Sequence, residues 1–383
     1  MSDGTIPRRT AKAQWEVALP GLRASVVPFI VSRVVVLVAL FTARLCVSSF
    51  KLGAAARGPS RSGLLSWDAH WYERIAAHGY VGLGNGALRF FPLLPVLARS
   101  FRAVPGMSSG LSVIVVANVA CLVALVVLHR LVMFELGDEA CARRAVWLLA
   151  LAPPAFVLAM GYAESLFLLT SMVAFLGLRQ HRYALAVCAG FAAGLCRPVG
   201  MLLVIPAAIE VFENWRLLEI RERIVGASAV LAAPLGAATY LVWAQEVVGS
   251  FLLPLREQLS PSRRGTVADP FVTFAHDARD LVDRNHFGTA EHALWAVLLL
   301  LLAAYIARRL PGAYGWYTAA LLVVVLTASN FESLERYGLG CFPFVIAASM
   351  LTKSPRSFRV VIALSASLLL VYAVMAFLGK YVP

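Results

Sequence analysis

The stretch LSVIVVANVACLVALVVLHRLVMF, residues 111–134, contains no acidic residue and a single arginine. An apolar run of roughly 17 to 25 residues is long enough for a helix to cross the hydrocarbon core of a bilayer. Further apolar runs, several of them short or interrupted by proline, lie near 24–50, 145–161, 163–178, 183–196, 198–212, 224–248, 293–307, 313–329, 341–352 and 360–379. The sequence therefore predicts an all-α polytopic membrane protein with about eleven transmembrane helices.

The composition supports this class. Of the 383 residues, 60% are hydrophobic and only 14% are charged, and a soluble surface needs more charge than that. The formal net charge is +13, but the basic residues are spread among short loops instead of forming one patch. This distribution favours membrane lipids as partners, and we expect no nucleic acid.

Basic residues in the short loops predict the orientation of the chain, because cytoplasmic loops are enriched in lysine and arginine. One alternation of inside and outside places every short basic loop in the cytoplasm, together with segment 1–23. The inner residues are Arg8, Arg9, Lys12, Arg23, Arg143, Arg144, Arg179, Arg182, Arg216, Arg221, Arg223, Arg308, Arg309, Lys353, Arg356 and Arg359. We predict a cytoplasmic tail over 1–23 and a single transmembrane domain over 24–383.

Two long segments, 51–110 and 249–292, then lie on the extracytoplasmic side although both contain arginines. The first is expected to carry interfacial helices. One explanation for positive charge on this side is attraction to a phosphate-bearing lipid. The other is that long loops cross the membrane regardless of their charge.

The first long segment contains SWDAHWYERIAAHGY, residues 66–80. Its spacing predicts an amphipathic helix at the outer interface, with Trp67 and Trp71 on one face and Asp68 and Tyr72 on a neighbouring face. Such a helix places Asp68 at the mouth of a cavity, where burial is expected to raise its pKa towards that of a general base. The alternative is an interfacial anchor in which Asp68 only caps the helix.

The segment that follows, Arg89 to Pro95, is apolar and interrupted by proline. This pattern predicts a re-entrant or interfacial piece that lines a groove for a lipid chain, with Arg89 reaching a phosphate. Simple packing beneath the loop is the other interpretation.

Glu164 lies at the outer end of a tight hairpin between two short apolar runs, and Arg197 lies in the corresponding turn of the next hairpin. Ionisable groups so close to hydrocarbon are costly and are typical of functional sites. The two residues form either an ion pair with each other or a site in which Arg197 binds phosphate.

Arg336 follows the apolar run 313–329 and is a further candidate for binding an anion, because its planar fork matches a pair of phosphate oxygens. The alternative is a surface residue paired with Glu332. The outer histidines have no spacing typical of a metal site, and no glycine-rich phosphate loop is present. We expect neither a metal nor a soluble nucleotide cofactor.

Several of these residues form a pattern that follows in order along the chain. It comprises Trp67-Asp68, Trp71-Tyr72, Ile75-Ala76, Gly79-Tyr80, Phe90-Phe91-Pro92-Leu93, Pro95, Tyr162-Ala163-Glu164-Ser165-Leu166-Phe167, Arg197 with Gly200, and Arg336 with Pro343. In this pattern the chain resembles the membrane mannosyltransferases related to the second mannosyltransferase of GPI-anchor assembly, the PIG-V-like family.

The resemblance implies a GT-C-type glycosyltransferase that moves a sugar, with mannose expected, from a polyprenyl-phosphate donor at the outer face. It implies Asp68 as the catalytic base and Glu164 as a second acid that orients the acceptor or a cationic group. The substrate-binding residues implied are Trp67, Trp71, Tyr72, Arg89, Tyr162, Arg197 and Arg336. The lipid-linked sugar is a substrate, so no separate cofactor is expected.

A single base without a covalent intermediate predicts inversion at the sugar. The chain departs from eukaryotic members, which tend to have His-Phe where Trp71-Tyr72 stand. An acid often found before Phe-Phe-Pro is also missing. These departures favour a bacterial lipid or cell-envelope glycan over a GPI precursor as acceptor. The alternative class is a transporter or flippase, which typically has broken helices and two related halves.

Overall fold

A computed structural model describes residues 11–101, 103–260, 265–283, 290–331 and 333–381. Its α-helices, numbered α1 to α17 in chain order, are Ala11–Ser49, Ala54–Ser62, Asp68–His78, Leu93–Phe101, Ser109–Leu136, Glu139–Ala150, Glu164–Arg179, Tyr183–Cys196, Val204–Asn214, Ile220–Val248, Leu253–Arg256, Pro270–Asp283, Ala290–Arg309, Gly312–Leu326, Leu334–Gly340, Pro343–Leu351 and Pro355–Phe377. Short 3-10 turns join several of them. The all-α class is confirmed.

Five of the described helices are long and apolar enough to cross a membrane by length and composition. They are α5, α10 and α17, with residues 19–49 of α1 and 291–309 of α13. Helices α8 and α14 are apolar but shorter. Several apolar helices of spanning length support a membrane protein, whereas the number of spans stays a prediction.

The first helix begins at Ala11, so the segment predicted as a tail, 1–23, contains its opening turns. The cytoplasmic location of that segment stays a prediction. Loop 51–110 contains α2, α3 and α4, which are helices of 9 to 11 residues.

Two apolar runs are broken where proline occurs. Helix α6 ends at Ala150, and a 3-10 turn covers Pro153–Leu158 before α7 begins at Glu164. A second 3-10 turn, Pro198–Leu203, follows α8. Proline has no backbone N–H and its ring clashes with the preceding turn, so the α-helix stops before it. The breaks place Glu164 at the start of one helix and Arg197 just after the end of another.

Small residues allow α8 and α10 to pack with their backbones in contact. A Cβ atom on Gly194 would lie 2.0 Å from the carbonyl oxygen of Ala233, and one on Gly236 would lie 2.1 Å from that of Phe191. Gly200 lies equally close to α8, since a Cβ there would be 2.2 Å from the carbonyl oxygen of Ala193. The turn that carries Arg197 is therefore folded tightly against α8.

Arg33 lies near the middle of the first apolar helix, and its partners in the described part of the chain are neutral groups. Its Nε donates to Asn118 Oδ1 at 2.9 Å, and its Nη2 donates to the Leu158 carbonyl at 2.9 Å. The Asn118 amide in turn donates to the carbonyl of Ala159 at 3.0 Å. These bonds attach the end of the 153–158 turn to α1 and α5, just before the chain reaches Glu164.

Candidate active site

A cavity of about 600 Å³ lies where the starts of α3 and α7, the turn after α8, and the short helix α15 meet. Its lining includes all five charged residues predicted for the site, namely Asp68, Arg89, Glu164, Arg197 and Arg336. This volume lies within the usual range of small-molecule sites, roughly 300 to 1,000 Å³. The structure therefore brings together residues that are up to 268 positions apart in the chain.

Asp68 is the first residue of α3, and both of its carboxylate oxygens accept hydrogen bonds from arginine. Arg89 Nη2 donates to Oδ1 at 2.9 Å, and Arg336 Nη1 donates to Oδ2 at 2.8 Å. The N-cap position belongs to Trp67, and Asp68 makes no capping bond. The interpretation of Asp68 as a helix cap is therefore wrong. Its side chain keeps 21% of its exposure and is open to the cavity.

The pKa of Asp68 differs from the sequence-based expectation. Burial alone would raise it, but the positive charges of Arg336 and Arg89 outweigh burial, so that the pKa is lowered below the ordinary value of 3.8. The expectation of a raised pKa for Asp68 is therefore wrong. The sequence showed that the carboxylate would be partly buried, but it did not show that two guanidinium groups bind it directly.

Glu164 lies deeper, with a side chain only 3% exposed at the first position of α7. Its Oε1 accepts a hydrogen bond from Arg197 Nη1, and Arg336 Nε lies 3.3 Å from the same oxygen. The expected Glu164–Arg197 ion pair is therefore present. Since Arg197 also lines the cavity, the pair and a phosphate-binding role are compatible.

Arg336 connects the two carboxylates, because its Nη1 contacts Asp68 and its Nε faces Glu164. Its side chain is only 10% exposed, so the alternative of a surface residue is wrong. Glu332, the partner in that alternative, lies outside the described residues.

Two arginine donors in the site are not used for hydrogen bonding. Within the described part of the chain, the buried Nε atoms of Arg89 and Arg336 have no hydrogen-bond partner. The ion contact of Arg336 Nε with Glu164 does not have hydrogen-bond geometry. Buried donors without partners cost free energy, so these two guanidinium groups are held in the site at some cost to stability.

Of the four aromatic residues predicted for the site, three line the cavity and one is buried beside it. Trp67, Trp71 and Tyr72 line the cavity, and the Trp71 ring stacks on Phe90 at 5.8 Å between centroids. Tyr162 is buried beside the site, and its hydroxyl accepts a hydrogen bond from the Asp68 backbone N–H at 3.2 Å. These contacts indicate that Tyr162 supports the start of α3.

Trp67 has a φ of 59°, a conformation that non-glycine residues rarely adopt, and its indole N–H donates to the Ala376 carbonyl at 3.0 Å. This positive-φ backbone changes the direction of the chain directly before Asp68, where α3 begins. The sequence did not predict this feature.

Part of the cavity wall comes from residues that sequence reasoning missed. Gln258, in the second long loop, donates from its side chain to the Arg89 carbonyl at 2.7 Å. Val267 and Ala328 form an isolated antiparallel bridge at the cavity edge. No local motif marks these residues, since they reach the site only through the fold.

Among the described residues that line the cavity, three guanidinium groups face two carboxylates, which amounts to one net positive charge. Such a site favours a ligand with a single negative charge over a neutral ligand.

Residues 21–208, just under half of the chain, match the model of the family described as Mannosyltransferase (PIG-V). All the predicted site residues except Arg336 lie within the match. The resemblance to the PIG-V-like mannosyltransferases is therefore confirmed. No curated protein sequence matches the chain significantly.

The crystal structure of ArnT from Cupriavidus metallidurans bound to undecaprenyl phosphate has a TM-score of 0.52 at 14% identity. The match covers 92% of this chain and 76% of that one. An oligosaccharyltransferase from Archaeoglobus fulgidus, tethered to an acceptor peptide, gives 0.41 at 14% identity over 82% of this chain and 51% of that one. The likeness to ArnT shows a GT-C-like fold. Family match and fold together support a membrane glycosyltransferase.

Proposed function

We propose that this protein transfers a sugar, expected to be mannose, from a polyprenyl-phosphate donor to a lipid or glycan acceptor at the extracytoplasmic face, with inversion at the anomeric carbon. The observation that carries the proposal is the convergence of Asp68, Glu164 and three arginines around one cavity. A transferase of this kind needs one base for the acceptor and several cations for the leaving phosphate.

Charge supports a donor in which a single phosphate links the sugar to the lipid. Such a phosphodiester carries one negative charge, and the site carries one net positive charge. Its oxygens compete with Asp68 for the guanidinium groups of Arg89 and Arg336. As phosphate takes over these bonds, Asp68 loses the contacts that lower its pKa and becomes a stronger base.

The transfer step is then a single displacement. Asp68 accepts the proton of the acceptor hydroxyl as that oxygen bonds to the anomeric carbon from the face opposite the phosphate. The bond between the anomeric carbon and the phosphate oxygen breaks, and its electron pair stays on the phosphate. Polyprenyl phosphate leaves with a second negative charge, stabilised by the arginines. Asp68 loses one negative charge as the phosphate gains one, so the total charge of the cavity is unchanged.

Exposure favours Asp68 over Glu164 as the base. The Asp68 side chain is 21% exposed and faces the cavity, whereas that of Glu164 is 3% exposed. Because Glu164 contacts Arg197 and Arg336, its proposed role is to orient these two cations.

The direction of two helices supports the extracytoplasmic face. Helix α7 runs from Glu164 to Arg179, and its 16 residues span about 24 Å. Arg182 precedes α8 and Arg197 follows it, so the candidate site and the basic pair Arg179 and Arg182 lie at opposite ends of this hairpin. The positive-inside rule assigns that basic pair to the cytoplasm.

A transfer assay with a matched control tests the proposal. Membranes containing the protein are incubated with polyprenyl-phosphate mannose labelled in the sugar, and the lipid and glycan fractions are analysed for labelled product. We expect Asp68→Asn to lower transfer by about 10²- to 10⁴-fold, the usual contribution of a general base. Glu73→Gln is the control, since Glu73 lies on the same helix but outside the cavity lining. Equal transfer by Asp68→Asn and wild type would overturn the proposal.

The same assay distinguishes an enzyme from a transporter or flippase. The broken helices at Pro153–Leu158 and Pro198–Leu203 are the feature that fits a transporter. A transporter moves the intact donor across the membrane and leaves the label on polyprenyl phosphate. A transferase moves the label to a second molecule.

A further inference from the structure

A second buried polar cluster lies beside the cavity and has no part in the proposed transfer step. Its centre is Glu335, whose side chain is fully buried. His292 Nδ1 lies 2.5 Å from Glu335 Oε1, and the Tyr381 hydroxyl donates to Glu335 Oε2 at 3.1 Å. Both carboxylate oxygens are thus held by residues from other parts of the chain.

The cluster is attached to the surrounding helices on both sides. His292 lies in the first turn of α13, and Tyr381 follows α17. The Tyr381 ring stacks on Tyr372 at 5.1 Å, and it contacts Phe156 at 6.2 Å in an edge-on arrangement. Glu335 is therefore held between fixed partners.

Glu335 directly precedes Arg336 in α15, a helix of only seven residues. Successive side chains of a helix point about 100° apart, so Glu335 faces the cluster while Arg336 faces the cavity. The residue before the helix, Ser333, has a φ of 62°, a conformation that persists only where surrounding contacts hold it. The contacts of Glu335 restrain the rotation of α15 about its axis from the side opposite the ion pairs of Arg336 with Asp68 and Glu164, and that rotation affects the position of the Arg336 guanidinium.

We propose that Glu335, His292 and Tyr381 are positioning residues that hold Arg336 at the place where it binds the donor phosphate. This inference rests on the proposed function, since it gives the leaving phosphate to Arg336. A misplacement of about 1 Å in a positioning group lowers rates by as much as about 10²-fold. We call the contacts of Glu335 with His292 and Tyr381 the Glu335 clamp. Weakening this clamp is expected to lower kcat without preventing folding.

Tyr381→Phe is the sharpest variant, because it removes only the hydroxyl that binds Glu335. Tyr372→Phe is its matched control, since Tyr372 belongs to the same aromatic stack but binds Trp295 instead of Glu335. We expect Tyr381→Phe to lower kcat about tenfold, with a smaller change in KM for the donor. Tyr372→Phe is expected to stay within twofold of wild type. His292→Gln serves as a second variant if Tyr381→Phe folds poorly in detergent.

A double-mutant cycle separates positioning from general stability. If the clamp acts through Arg336, Tyr381→Phe has little further effect on kcat in an Arg336→Lys background. If the two effects multiply in full, or if Tyr372→Phe lowers kcat as much as Tyr381→Phe, the positioning role is refuted.

Asp68→Asn is measured in parallel. An active Asp68→Asn variant refutes the proposed function itself. An inactive one combined with an unaffected Tyr381→Phe refutes only the clamp.

Discussion

Replacing Arg336 by glutamine removes the cation that contacts both carboxylates of the site. The site then loses its single net positive charge, so a monoanionic donor no longer meets a complementary field. Two unit charges 4 Å apart interact by about 4 kcal/mol at an effective dielectric constant of 20. Part of this interaction energy with the donor is offset, because Arg336 also attracts Asp68 and Glu164 in the free enzyme. We expect a loss of about 3 kcal/mol in transition-state stabilisation, which is on the order of a hundredfold in kcat/KM.

Two further variants make this expectation specific. Arg336→Lys keeps the positive charge but loses the planar guanidinium group. One ammonium group does not reach both Asp68 and Glu164 in the same geometry. A loss of about tenfold is expected for it, between wild type and Arg336→Gln. Arg99→Gln removes an exposed arginine from loop 51–110, which also contains Asp68 and Arg89, and is expected to have no effect at physiological salt, where exposed charges are screened.

The assay measures initial rates of sugar transfer over a range of donor concentrations, with purified protein in lipid nanodiscs. Folding of each variant is checked by gel filtration and thermal unfolding. If folded Arg336→Gln keeps a kcat/KM within threefold of wild type, the charge argument for the site is refuted.

Two other predictions concern pH and helix packing. The folded-state pKa of Asp68 is lowered, so its ion pairs contribute stability at neutral pH that is lost only as pH falls through that lowered value, below 3.8. The thermal stability of wild type relative to Asp68→Asn should therefore be constant from pH 8 to 5 and shrink in stronger acid, and a loss near pH 6 would contradict this assignment. Gly194→Ala should destabilise the protein by about 3 kcal/mol, because the new Cβ meets the Ala233 carbonyl at 2.0 Å. Gly190→Ala, whose Cβ meets its nearest neighbour at 3.4 Å, is the control and should leave the unfolding temperature nearly unchanged.

The charged residues that the sequence singles out line one cavity in the structure, and their roles there stay predictions. Asp68, Glu164 and Arg197 each stand out because a charge occurs next to apolar runs, and such charges are costly without a use. All three residues lie at helix ends. If successive spans alternate in direction, these ends lie on one side of the membrane, and the residues can therefore converge on one cavity. This part of the site required no knowledge of distant contacts.

The contacts between charged residues within the site were less predictable from the sequence. The expected rise in the pKa of Asp68 was wrong because two arginines, from positions 89 and 336, bind its carboxylate directly. The cluster around Glu335 was missed for the same reason, since its partners lie 43 and 46 positions away. Hydropathy also overestimated helix continuity, because proline ends α6 before the apolar run does.

The hydrogen bonds of Arg33 have a consequence for biogenesis. Its partners Asn118 and Leu158 lie 85 and 125 residues later in the chain, so they are synthesised after the first helix. A guanidinium without partners at the centre of an inserted helix costs about 2.5 to 3.5 kcal/mol on translocon scales. Insertion of the first helix into a bilayer is therefore expected to carry a penalty that the hydrogen bonds to Asn118 and Leu158 reduce once those segments are in place.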